Sequence, residues 1–156
     1  MRRARFGFTM VEVLVVMAIL VTMVTMAFPR IARWRTSYDL RSAKQQVAAA
    51  IATTRAAAVQ KGRPARFRVD GNVISATVDT NAAGATVRVI PSTDLLQTYG
   101  VAITVVNLPG NELVYGSRGV IPAQVATPRY YLTNAAGRDS LCVSGVGVLL
   151  KRGCIQ

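Results

Sequence analysis

Hydrophobic and polar positions divide the 156-residue chain into three regimes. From Phe8 to Phe28 there are 21 residues in which Glu12 is the only charge. At 1.5 Å per residue a helix of that length spans about 30 Å, the thickness of a bilayer core. From Ile31 to Lys61 the pattern becomes amphipathic. Leu40, Ala43, Val47, Ile51, Thr54 and Ala58 recur at i, i+3, i+4 spacing, and Arg41, Lys44, Gln45, Arg55 and Gln60 lie elsewhere on the wheel. Gly62, with Pro64 two residues on, is a stop signal. The pattern predicts one helix of more than fifty residues, broken or kinked at Pro29.

After Pro64 the period falls from helical to alternating. "ARFRV" and "VISATV" flank Asp70-Gly71-Asn72, a hairpin signal. "ATVRVI", "GVAITVV", "RYYLT" and "LCVSGVGVLL" are further strands, rich in Val, Thr and Tyr. Pro91, Pro109, Pro122 and Pro128 mark loops or edges, and segments 91–100 and 107–128 give the weakest pattern. The expected fold is α+β: a long N-terminal helix packed on a mostly antiparallel head of six or seven strands.

Glu12 needs a reason. A charge near the centre of a membrane helix costs roughly 2.5–3.5 kcal/mol on insertion scales. The segment before the run, "MRRARF", is basic, and Arg2, Arg3 and Arg5 are expected to stay in the cytoplasm. No A-x-A-like cut site follows the run; Pro29 and Arg30 do, so the helix is expected to be kept. Gly7 stands between the basic leader and the helix. Cleavage there would make Phe8 the new N-terminus and Glu12 its fifth residue.

This conjunction of basic leader, "GFTMVE" and a long apolar helix resembles the class III leader of type IV pilins and type II secretion pseudopilins. The resemblance implies cleavage between Gly7 and Phe8 by a prepilin peptidase and N-methylation of Phe8. It also implies a role for Glu12 in filament assembly. The physics agrees: the new amine at Phe8 is positive, and Glu12 four residues on shares its helix face. Pairing with that amine, or with a neighbouring subunit's, would neutralise two costly groups. A plain single-pass anchor is the alternative. "LRSAKQQVAAAIATTRAAAVQKGRP" is similar to the GspH/FimT branch at Leu40, Ser42, Ala43, Arg55, Ala58, Lys61, Gly62 and Pro64.

The expected organisation is therefore a leader at 1–7, a transmembrane or filament-core helix at 8–28, an amphipathic helix at 29–62 and a β-rich head at 63–156. The resemblance implies a single-pass protein of the bacterial inner membrane with its head in the periplasm. Basic residues also follow the run (Arg30, Arg33, Arg35), so the leader resemblance, not flanking charge, sets this topology. Cys142 and Cys154 then fall in an oxidising compartment, which favours a disulfide over two buried thiols.

Composition removes much chemistry. There is no His, the commonest general base and metal ligand. The acids are scattered, and Asp70 and Asp79 fit turns. "VDTNAAG" lacks the spaced acids of a calcium loop. No catalytic residue, metal site, cofactor or small-molecule substrate is expected. Charge is the remaining signal. Without Arg2, Arg3 and Arg5, 16 basic side chains face 7 acidic ones. Arg138, Lys151 and Arg152 are candidate DNA or phosphate contacts, since FimT-like minor pilins implicated in DNA uptake present a basic C-terminal region. Their Gly-Arg-x-Arg pattern is not met, because Asp139 and Ser140 follow Arg138. A solvated basic face, or one that meets acidic lipid headgroups, accounts for the same residues. The sequence thus points to a minor subunit of a secretion pseudopilus or type IV pilus. Its expected partners are the peptidase, other pilins, the inner membrane and, in the alternative, DNA.

Overall fold

The computed structural model describes residues 9–81, 84–122, 127–150 and 154, with residues 26–33 described as helical backbone alone. The chain divides into two compact units, Met1–Arg35 and Thr36–Gln156. Helix α1 runs from Met10 to Lys61, 52 residues, and continues through Pro29. Of the two outcomes open to that proline, an end to the helix is not the one taken. The helix stops where Gly62 takes a φ of 61°. Gly62 N–H donates to the Val59 carbonyl at 3.2 Å and Arg63 N–H to the Ala58 carbonyl at 3.1 Å. This is a Schellman ending, which satisfies carbonyls that a helix C-terminus otherwise leaves bare.

The strands follow in the second unit: β1 (Ala65–Asp70), β2 (Val73–Asp79), β3 (Thr86–Asp94), β4 (Ala102–Val106), β5 (Glu112–Tyr115), β6 (Arg129–Asn134), β7 (Gly137–Val143) and β8 (Leu149–Leu150), with a short helix α2 (Leu95–Tyr99) after β3. They form two four-stranded sheets, β3-β2-β1-β5 and β4-β6-β7-β8. Every pairing is antiparallel. Alternation sets the faces. Ala65, Phe67 and Val69 of β1 are buried, as are Ile74, Ala76 and Val78 of β2. The α1 stripe Ala43, Val47, Ile51 and Ala58 joins Phe67, Leu113, Tyr115, Tyr130 and Leu132 in one core. Phe67 meets Tyr130 edge-on, ring centroids 5.9 Å apart. Thr54, the polar member of the stripe, is buried and its hydroxyl donates to the Ala50 carbonyl at 2.7 Å.

β3 runs beyond "ATVRVI" to Asp94, and Pro91 lies on this outer strand, one of the two places expected of it, where a missing N–H is tolerated. Two features differ from expectation. Segment 107–128 contributes β5, so the described residues hold eight strands rather than six or seven. "LCVSGVGVLL" is not one strand. β7 ends at Val143, Gly147 at φ 82° helps the chain reverse, and β8 returns against Val143 and Cys142. The turn closes through Gly147 N–H to the Ser144 carbonyl and Ser144 N–H to the Val148 carbonyl, both 2.8 Å.

The two sheets are joined at Asn72. In the β1–β2 turn Gly71 takes φ 58°. Asn72 Oδ1 accepts from the Ile103 N–H of β4 at 3.1 Å. Its carbonyl accepts from Leu95 N–H at 3.0 Å. Asp94 caps α2 by accepting from the N–H groups of Leu96 and Gln97.

Candidate functional site

The N-terminal turn of α1 is built by Thr9 and Glu12. Thr9 Oγ1 accepts from the Glu12 N–H at 3.3 Å, and Glu12 places an acid in the first turn. T-x-x-E is a capping-box pattern, and a carboxylate there also meets the positive end of the helix dipole. The sequence reading missed this, although "TMVE" carries the signal. Beyond it, α1 offers apolar surface on all sides. Met10, Val13, Leu14, Met17, Leu20 and Val24 are each at least 48% exposed. An apolar surface of that extent marks an interaction site. Among the described residues no helix is long and apolar enough to cross a membrane, and the run Phe8–Phe28 extends past the fully described residues at both ends. Gly7 and Phe8 lie outside the described residues.

In the second unit Asp139, Asp79 and Glu112 are held in ion pairs. Asp139 pairs with Lys44 Nζ at 2.7 Å. Asp79, read from sequence as a turn residue, ends β2 and holds Arg66 at 2.6 Å, with Glu112 on the other side of that guanidinium at 3.1 Å. From "VDTNAAG", Asn81 Oδ1 accepts from the Ala85 N–H just beyond it. Among the described residues no group of three His, Cys, Asp or Glu could hold a metal ion.

Arg138 is exposed on β7, its guanidinium 3.8 Å from the centre of the Tyr131 ring. Lys151 and Arg152 lie outside the described residues. Cys142 is joined to Cys154 in a disulfide. Tyr115 hydroxyl donates to the Gly147 carbonyl at 3.1 Å, and burial pushes its pKa up to about 12 against a smaller opposing pull from Arg55. Burial raises Tyr130 as well, assisted by Tyr115. Tyr130 hydroxyl and Arg129 Nε are buried without a hydrogen-bond partner among the described residues.

Residues 2–28 match the family model described as the prokaryotic N-terminal methylation motif. The crystal structure of the type IV minor pilin FimU of Pseudomonas aeruginosa superposes with a TM-score of 0.55 at 14% identity, over 76% of this chain and 97% of that one. The chain has a pilin-like fold. No curated protein sequence matches it. The structural likeness establishes the fold: a long helix on antiparallel sheets. The motif match covers Gly7, Phe8 and Glu12 of this pilin-like chain, along with Thr9 and its cap.

Proposed function

We propose that the chain is a structural minor subunit of a type II secretion pseudopilus or type IV pilus, serving protein secretion. It is made as a single-pass inner-membrane precursor with a periplasmic head. A prepilin peptidase cleaves it between Gly7 and Phe8, Phe8 is N-methylated, and the mature chain joins other pilins through its N-terminal helix. The observation that carries this reading is the methylation motif at residues 2–28, which leads into a helix whose apolar side chains stay exposed. The pilin fold and the motif indicate a structural subunit rather than an enzyme.

Glu12 tests the assembly step. Mass spectrometry of Glu12→Ala and Glu12→Gln is expected to show normal cleavage and methylation, with both variants absent from sheared filaments. Normal incorporation of Glu12→Gln, which keeps the Thr9 cap and removes only the charge, would overturn charge pairing at the N-terminus.

A second reading, a DNA-binding minor pilin serving DNA uptake, is favoured by one observation. Arg138 stands exposed and stacked on Tyr131, presenting a cation beside an aromatic face. The full chain in detergent is titrated with duplex DNA at several salt concentrations. Micromolar binding that weakens steeply with salt, and falls in Arg138→Ala and in Lys151→Ala/Arg152→Ala, supports it. No binding at low salt leaves the secretion reading alone.

A further inference from the structure

Helix α1 has a second stripe beside its buried one. Ala48, Ala52, Ala56 and Val59 follow helical spacing and are partly or fully exposed. Across from them lies the β7–β8 turn with β8. Two adjoining hollows open between these walls. One, about 470 Å³, is bounded by Ala52, Arg55, Ala56, Val59 and Leu149. The other, about 530 Å³, is bounded by Arg41, Lys44, Ala48, Asp139, Leu149 and Leu150. Leu149 borders both, so together they make one groove along α1. Alanine floors let a second backbone approach closely, and exposed Leu150 and Val59 supply apolar contacts along the rim.

The uncompensated charges that border the groove are of one sign. Lys44 is neutralised by Asp139. Arg55 gives its Nε to the Gly119 carbonyl, a neutral acceptor, and so keeps its charge uncompensated. Arg41 is exposed and has no acidic partner among the described residues. These two arginines are separated by 14 positions, about 21 Å along a helix. A second copy of the chain is a poor occupant, because the Thr36–Gln156 unit carries 13 Lys plus Arg against 6 Asp plus Glu. Four of those acids are already engaged: Asp79, Glu112 and Asp139 in ion pairs and Asp94 as a cap.

We propose that this groove docks an apolar segment bordered by carboxylates, supplied by a different, acidic protein subunit. The occupant's carboxylates would meet Arg41 and Arg55 while its apolar residues cover the alanine floor and Leu149. This goes beyond the assembly reading, since the exposed N-terminal part of α1 takes no part in it.

The test places the photo-crosslinker p-benzoylphenylalanine at position 52 or 56 of the full chain in its native cell, with position 92 of β3 as control. Adducts are mapped by mass spectrometry to the crosslinked segment. The expected result is an adduct from 52 and 56, not from 92, to a segment of another protein that is apolar and flanked by Asp or Glu. Arg41→Glu is expected to cut its yield about threefold to tenfold, the scale of one exposed charge reversal. Ala52→Arg, which fills the groove from an exposed position of the helix, is expected to remove the adduct from position 56 without changing the melting temperature. An adduct to a second copy of the chain, to lipid or to nucleic acid overturns the proposal. So does an adduct indifferent to Arg41→Glu, or no adduct above the control.

Discussion

Asn72→Ala is expected to weaken the junction between the two sheets. β4 is an outer strand, so an N–H aimed away from β6 has no ladder partner. Asn72 Oδ1 supplies that partner to Ile103 at 3.1 Å, and Ile103 is only 6% exposed. Removing the acceptor strands a buried backbone donor, which costs about 1–3 kcal/mol. The bond from Leu95 N–H to the Asn72 carbonyl involves main chain and survives the substitution. For a unit of this size each kcal/mol moves the melting temperature by about 4 °C, so a fall of roughly 4–12 °C is expected. The assay is thermal unfolding of the full chain in detergent, followed by near-ultraviolet dichroism of the core tyrosines, which the signal of α1 does not mask. Asn72→Asp keeps an acceptor oxygen in place and is expected to lose less than half as much. If Asn72→Ala melts within 1 °C of the parent chain, or if Asn72→Asp is as unstable as Asn72→Ala, the reasoning fails.

Gly119→Ala is expected to cost about 1–3 kcal/mol by chemical denaturation. Gly119 has φ 70°, and an added Cβ would sit 2.7 Å from Val59 Cγ2. Adding Val59→Ala should recover the clash but not the backbone strain, a coupling a double-mutant cycle reads directly. Replacing Cys142 and Cys154 together by Ser opens a loop with a sequence separation of 12 and is expected to cost about 3 kcal/mol, seen as a lower urea midpoint. Alkali should also destabilise the fold. Tyr115 is raised from 10 to about 12 on folding, so the unfolded chain loses that proton first and stability falls as pH rises from about 10 through 12. Denaturant midpoints across that window should fall less steeply for Tyr115→Phe, and a midpoint independent of pH would refute the link.

The parts of the fold legible in the sequence are those set by local period. The stripe Leu40, Ala43, Val47, Ile51, Thr54 and Ala58 predicts the buried face of α1; Leu40 is half-buried against the core and the others are buried. Gly62 marks its end because one left-handed residue is what the reversal needs. The strands β1 and β2 show themselves by alternation and by the Asp70-Gly71-Asn72 turn. β5 does not, since Glu112–Tyr115 is four residues long and becomes a strand only by pairing with β1. β8 was hidden because valines and glycines alternate across a turn as they do along a strand. At the candidate sites, Gly7, Phe8 and Glu12 stand in a contiguous motif that can be read directly. The groove beside α1 cannot, because its walls come from opposite ends of the head and meet only in the folded chain.

The order of the strands has a consequence for how the head acquires its structure. β1, β2 and β3 form a consecutive meander, but their sheet is completed by β5, which the chain reaches only after laying down β4 in the other sheet. A chain ending after Val106 leaves one side of β1 open and gives β4 no neighbour; by Tyr115 the first sheet has all its strands, while β4 still waits for β6. The interleaving therefore falls on the second sheet, whose first strand meets the loop-closure entropy of the intervening segment before it gains a partner. A head emerging N-terminus first would hold β4 with an open edge on both sides until Arg129–Asn134 arrived.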